Sequence, residues 1–114
     1  MKEIKAYVKT SVLENVVAGL KESGCSCMTI VEVSGLGNFM DPEQWKYSME
    51  VVEKTSRVAK IELACRDDQA DHIVEIIKQR GCTHQPGDGI ILVSELRRAV
   101  KIRTGEEGDD ILQR

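Results

Sequence analysis

The hydrophobic pattern of the chain changes period twice in the same order, and this limits the fold more than any other feature. "EIKAYV" puts Ile4, Ala6 and Val8 at alternate positions, the spacing of a half-buried strand. Leu13, Val16, Val17 and Leu20 follow at helical spacing, with Thr10 or Ser11 as a candidate cap and Gly24 as a left-handed stop. "CMTIVEV" reads as the next strand. The cycle restarts at "RVAKIELAC", with Ala59, Ile61, Leu63 and Cys65 on one face and Val58, Lys60, Glu62 and Ala64 on the other. Asp67 and Asp68 suit the start of a second helix, which carries Ala70, Ile73, Val74 and Ile77 and stops at Gly81; "IILV" is then the last core strand.

Two β-α-β units, each burying one helix face on a shared antiparallel sheet, predict an α+β, ferredoxin-like βαββαβ fold. At 114 residues this is one domain, so anything larger comes from self-association. Aromatic residues are only 4% of the chain, which calls for an aliphatic core. A net charge of -3 gives no global field for nucleic acid or anionic membrane, and any anion site must be local. "MKEIKAYVKT" alternates charge with hydrophobe, unlike a signal-peptide core, and no stretch has the apolar length of a membrane span; a cytoplasmic protein is expected. Cys25, Cys27, Cys65 and Cys82 contain no C-x-x-C, and His72 and His84 complete no zinc pattern, so reduced, mostly buried thiols are expected.

Residues 36–56 break the economy of the fold, since a hairpin between the middle strands needs only about 2–5 residues. Within them Asp41, Pro42, Glu43 and Gln44 form a helix-start signature, and Trp45, Met49 and Val52 follow at helical spacing. So short a helix must pack on something, either its own assembly or a partner. Met40, Trp45, Tyr47 and Met49 are the candidate partner-binding residues, because Trp, Tyr and Met are enriched in interface cores.

Three further stretches favour an anion. "SGLGN" at 34–38 exposes backbone at a strand end, and Gly87 and Gly89 flank Asp88 in a turn whose amides can form a nest. Lys101 and Arg103, read as an extended strand, share one face and can reach one polyanion, while Val100 and Ile102 point the other way.

These elements together resemble the PII signal-transduction family, specifically its divergent PII-like branch. "KIRTGEEG", "PGDGIILV", "MTIVEVSGLG" and "KIEL" match the family's ordered motifs over residues 1–108, with the 36–56 insertion corresponding to its T-loop and 109–114 left as a tail. The resemblance implies a homotrimer binding adenine nucleotides in clefts between subunits. It implies a base near Thr29, Glu62 and Ala64 and a ribose near Met28 and Gly35. The phosphates are expected against Gly37, Gly87, Asp88, Gly89, Lys101 and Arg103, with Leu36 and Asn38 in the same binding segment.

Departures from the family pattern narrow the expectation. Ile90 stands where a phosphate-contacting lysine is usual, and Lys101 replaces an arginine, losing the planar fork that grips phosphate. ADP or AMP is therefore expected over ATP. Asn38 and Phe39 replace Arg-Gln, and Val58 replaces a lysine, which argues against the usual magnesium and 2-oxoglutarate site. Some divergent relatives accompany transporters and respond to bicarbonate. The expected function is a non-enzymatic adenylate sensor that regulates a partner, with a membrane transporter as the expected class, through its T-loop. The alternatives are a nitrogen regulator responding to ATP and 2-oxoglutarate, or a nucleotide-free structural or metal-binding trimer using Cys25 or Cys27. An enzyme is not expected, because no nucleophile and base pair is visible.

Overall fold

The computed structural model describes residues 1–34 and 57–112. In chain order these form β1 (Lys2–Lys9), a 3-10 turn (Thr10–Val12), α1 (Leu13–Glu22), β2 (Thr29–Ser34), β3 (Arg57–Cys65), α2 (Asp67–Gly81), β4 (Ile90–Glu95) and a second 3-10 turn (Asp109–Ile111). The expected helix of the 36–56 insertion, with Met40, Trp45, Tyr47 and Met49, lies outside the described residues, as do Gly35, Leu36, Gly37 and Asn38.

The strands pair antiparallel in the order β2-β3-β1-β4, the ferredoxin-like topology that the repeated pattern predicts. Ile4, Ala6 and Val8 of β1 and Ala59, Ile61, Leu63 and Cys65 of β3 form the core face of the sheet. Val16 and Leu20 of α1 and Ala70, Ile73 and Ile77 of α2 complete that core, every one of them buried. Full burial of each large aliphatic side chain contributes roughly 1.5–3 kcal/mol, which is why the two stripes commit the helices to one side of the sheet. The opposite face carries Glu3, Lys5, Tyr7, Lys60 and Glu62, all partly accessible.

α1 ends as its sequence predicts. The Gly24 amide donates to the Lys21 carbonyl at 3.0 Å and the Cys25 amide to the Leu20 carbonyl at 2.9 Å, with Gly24 at φ 94. This is the Schellman arrangement, and the buried Cys25 side chain provides its accompanying apolar contact.

Several expectations are corrected. Neither Thr10 nor Ser11 caps α1; both lie in the 3-10 turn, and Val12 occupies the cap position without a side-chain bond. α2 does end at Gly81 as expected, and this residue lies beside Val8 and Val16, 3.6 Å from where a Cβ would stand. β4 is an edge strand, with Leu92 and Val93 47% and 48% exposed, because among the described residues no strand covers its outer side. The thiols divide evenly, with Cys25 and Cys65 buried and Cys27 and Cys82 exposed. Lys101 and Arg103 do not lie on a strand. Val100 bridges Glu107, and the chain between turns back on itself, the Lys101 amide donating to Glu106 and the Gly105 amide to Lys101, both at 2.8 Å. Gly105, at φ 75, makes this reversal possible, so the alternating V-K-I-R pattern forms the tip of a hairpin.

Candidate functional site

The Gly-Asp-Gly turn sits where α2 hands the chain back to β4. Gly89 has φ 101, and a Cβ on it would stand 1.7 Å from the carbonyl oxygen of Tyr7. No side chain fits this approach, so glycine is what lets the turn close against β1. Gly87 is also left-handed, at φ 89.

Asp88 is held from three directions. Its carboxylate accepts bonds from the Thr83 amide at 2.8 Å and from the Thr83 hydroxyl, and faces the Lys9 ammonium at 3.4 Å. Burial pushes its carboxyl upward, but the bonds from Thr83 and the charge of Lys9 outweigh this and hold it below the ordinary aspartate range. Paired in this way, the carboxylate repels an incoming anion less than an isolated one does. Lys9 and Thr83 were not legible as site residues, since they meet Asp88 only through folding; nothing in their local sequence marks them.

At the other edge of the sheet, Thr29 opens β2 directly opposite Glu62 of β3, with the partly buried Met28 just before it and Ala64 two residues farther along the same strand face. Lys60 donates to Glu62 at 2.9 Å, and this bond holds the Glu62 carboxyl below its usual range despite some desolvation. Glu62 is therefore an ionised acceptor at neutral pH. The C-terminal hairpin comes to the same region: Lys101 and Glu106 line a recess of about 420 Å³ with Gly24, Ser26 and Cys27, the residues leading into Met28 and Thr29. Arg103 is exposed on the hairpin tip. Asp110, Ile111 and Leu112, expected as a tail, also line this recess.

The described candidates thus form two groups, one at each edge of the sheet. Met28, Thr29, Glu62, Ala64 and Lys101 gather on the β2 side, while Gly87, Asp88 and Gly89 lie at the start of β4. Three strand spacings separate the edges, on the order of 14 Å. With β1 between the strands that carry them, one chain presents the two groups back to back. Beside the second group an apolar groove of about 470 Å³ runs between α2 and the β4 edge, lined by Val8, Val74, Ile77, Ile90 and Ile91, with Lys78, Cys82, Asp88 and Gly89 toward its polar margin.

Comparison with known proteins adds the following. Residues 1–106 match the family model described as nitrogen regulatory protein P-II. The "Nitrogen regulatory protein P-II" of Rhodobacter capsulatus is 34% identical over 110 residues, covering 96% of this chain and 98% of the relative. "Nitrogen regulatory protein P-II 2" of Methanothermobacter thermautotrophicus is 38% identical over 112 residues, covering 95% and 94%. "Nitrogen regulatory protein GlnK" of Escherichia coli K12 is 34% identical over 116 residues, covering 98% and 100%.

Proposed function

The chain belongs to the nitrogen regulatory protein P-II family, and from this premise we propose that it is a non-enzymatic signalling protein whose adenine-nucleotide sites form between copies of itself. The observation that carries the reading is the back-to-back arrangement of the two half-sites. Head-to-tail association brings the β4 edge of one copy against the β2 edge of the next, and a rotation that closes generates a ring. A homotrimer meets this requirement with three equivalent clefts.

In such a cleft Thr29 and the ionised Glu62 offer acceptors to the exocyclic amine of adenine, Met28 and Ala64 offer apolar contact, and Gly87 and Gly89 let the backbone approach the phosphates. Lys101 and Arg103 supply the positive charge. Ile90 contributes none, and Lys101 binds as a point charge without a guanidinium fork, so ADP or AMP is held in preference to ATP. Gly35, Leu36, Gly37 and Asn38 complete the phosphate side in this reading. Ligand choice then biases the shape of the 36–56 insertion, through differential affinity for its states, and Met40, Trp45, Tyr47 and Met49 carry that bias to a partner. A membrane transporter is the partner class we favour, with the protein itself in the cytoplasm and bicarbonate as a candidate second ligand.

A second reading is a nitrogen regulator responding to ATP with 2-oxoglutarate, and the names of the relatives favour it. Against it, Val58 provides no charge for a carboxylate and is only 3% exposed on β3.

Calorimetric titration with ATP, ADP and AMP, each with and without 2-oxoglutarate or bicarbonate, separates the two. Preferential ADP or AMP binding is expected, weakened about tenfold or more in Lys101→Ala and in Arg103→Ala, the loss of one charge-assisted contact. Unchanged affinity in both variants rejects the cradle, and synergy between ATP and 2-oxoglutarate establishes the second reading.

A further inference from the structure

Cys82 and His84 meet just outside the Gly-Asp-Gly turn. Cys82 is exposed, and its Sγ lies 3.5 Å from Nδ1 of His84, close enough for a proton to pass between them. The backbone of His84 is left-handed, at φ 61, the one such residue other than glycine among those described, and this turn sets the imidazole beside the thiol. We infer that Cys82 is a thiol-exchange site with His84 as its base and a small disulfide as its co-reactant, and that occupying the site loosens the Gly-Asp-Gly turn. The coupling to the turn rests on the proposed nucleotide site; the exchange itself does not.

A thiolate is the nucleophile in disulfide exchange, and Cys82 caps the C-terminal end of α2, where the helix dipole disfavours a negative charge. A base must therefore take the proton as the sulfur attacks, and the same carbonyl end of the helix favours the imidazolium that results. The neighbouring charged groups are already paired, Lys78 with Glu75 at 3.0 Å on α2 and Lys9 of β1 with Asp88 of the turn at 3.4 Å. This leaves His84 as the group placed to accept. In the step, the Cys82 sulfur attacks one sulfur of a disulfide RSSR. A mixed disulfide between Cys82 and R forms as the S–S bond of the reagent breaks, and the proton passes from His84 to the departing thiolate, giving RSH. Cys82 is oxidised and half of the reagent is reduced, so no further oxidant is required. Cys82 and His84 flank Thr83, whose amide and hydroxyl hold the Asp88 carboxylate, and Cys82 lines the groove margin together with Asp88 and Gly89. A group on the sulfur breaks the contact with His84 and claims the space beside the turn, so residues 82–84 shift and the hold on Asp88 is released.

The full-length protein is treated with oxidised glutathione at several pH values and followed by intact mass and peptide mapping, with Cys27, the other exposed thiol, as the comparison within the same molecule. Cys82 is expected to react first, and dithiothreitol to reverse the reaction. His84→Asn keeps a residue that tolerates the left-handed backbone but is no base; it should slow Cys82 on the order of 10²-fold, make its rate rise with pH as steeply as that of Cys27, and leave Cys27 itself unchanged. Equal rates at Cys82 and Cys27 in the wild type, or an unaltered rate and pH profile in His84→Asn, overturn the exchange site. Binding is then compared in a Cys27→Ser background, where Cys82 is the one exposed thiol. The mixed disulfide should lower ADP affinity about tenfold, and the same treatment should have no effect once Cys82→Ser is added. Equal affinity before and after modification overturns the coupling to the turn. Protein that forms the adduct at Cys82 but binds no adenine nucleotide in either state supports the exchange site and overturns the proposed function together with the coupling.

Discussion

Replacing Gly89 by alanine tests the turn that brings β4 to β1. Two effects add. A left-handed residue with a Cβ costs roughly 1–2 kcal/mol by itself. In addition, the new Cβ would sit 1.7 Å from the Tyr7 carbonyl oxygen, and because that atom is backbone, no rotamer change relieves the contact. The end of the β1–β4 ladder, where Tyr7 faces Ile90, must open. One or two hydrogen bonds at about 1 kcal/mol each are lost, and displacing packed strands adds about 1–3 kcal/mol. The total is about 3–7 kcal/mol. Gly105→Ala is the matched control, since Gly105 is also left-handed, at φ 75, but has nothing within 4 Å of the added Cβ; it should cost only the first 1–2 kcal/mol. Urea unfolding at one protein concentration, with slopes compared, measures both. If the two variants are equally stable, the close approach of the turn to Tyr7 is wrong.

Two other outcomes depend on protons. Asp88 has a depressed carboxyl, so its contribution is present above the unfolded aspartate value of about 4 and disappears as pH falls through the lower folded value; Asp88→Asn should therefore flatten the acid limb of a stability-against-pH curve, and an unaltered limb would contradict the Thr83 and Lys9 contacts. Burial, aided by Cys65 and Cys27, pushes the Cys25 thiol up from 9.0 to about 11. Stability from this group is complete below pH 9 and is lost as pH rises toward 11, while a thiol reagent at pH 8 should label Cys27 and Cys82 quickly and reach Cys25 and Cys65 only on unfolding; prompt reaction at all four sites would refute the assigned burial.

The strands and helices were legible because their periods are clean. Ile4, Ala6 and Val8 alternate without interruption, and the stripes from Leu13 to Leu20 and from Ala70 to Ile77 each contain only apolar residues on the buried face. The C-terminal hairpin was misread for the same reason. Val100 to Arg103 alternate like a strand, and only the contacts of Lys101 with Glu106 and of Gly105 with Lys101 disclose the reversal. The exposure of "IILV" depends on sheet order, which an apolar run does not encode. Of the candidate site, the glycines were legible from their motifs, while Thr29 and Glu62 followed from the family resemblance alone and their cross-strand pairing is visible only in the fold. The support of Asp88 by Lys9 joins residues 79 positions apart, and no local pattern carries it.

The strand order has a consequence for how the molecule is made. β1 pairs with β3 and β4 and never with β2, so the first half of the chain contains two strands that are not each other's neighbours. A nascent chain that has released only β1, α1 and β2 has no ladder to form. β3 is the strand that supplies both with a partner, pairing with β1 on one side and β2 on the other. Sheet formation must therefore wait for β3, whose first residues, Arg57 and Val58, face Ser34 of β2 and Lys9 of β1, and every pairing then closes a loop across the 36–56 segment or a longer one. Such non-local closure slows folding and leaves apolar strands unpaired in the interval, which makes β3 the strand whose timely arrival protects the newborn chain from aggregation.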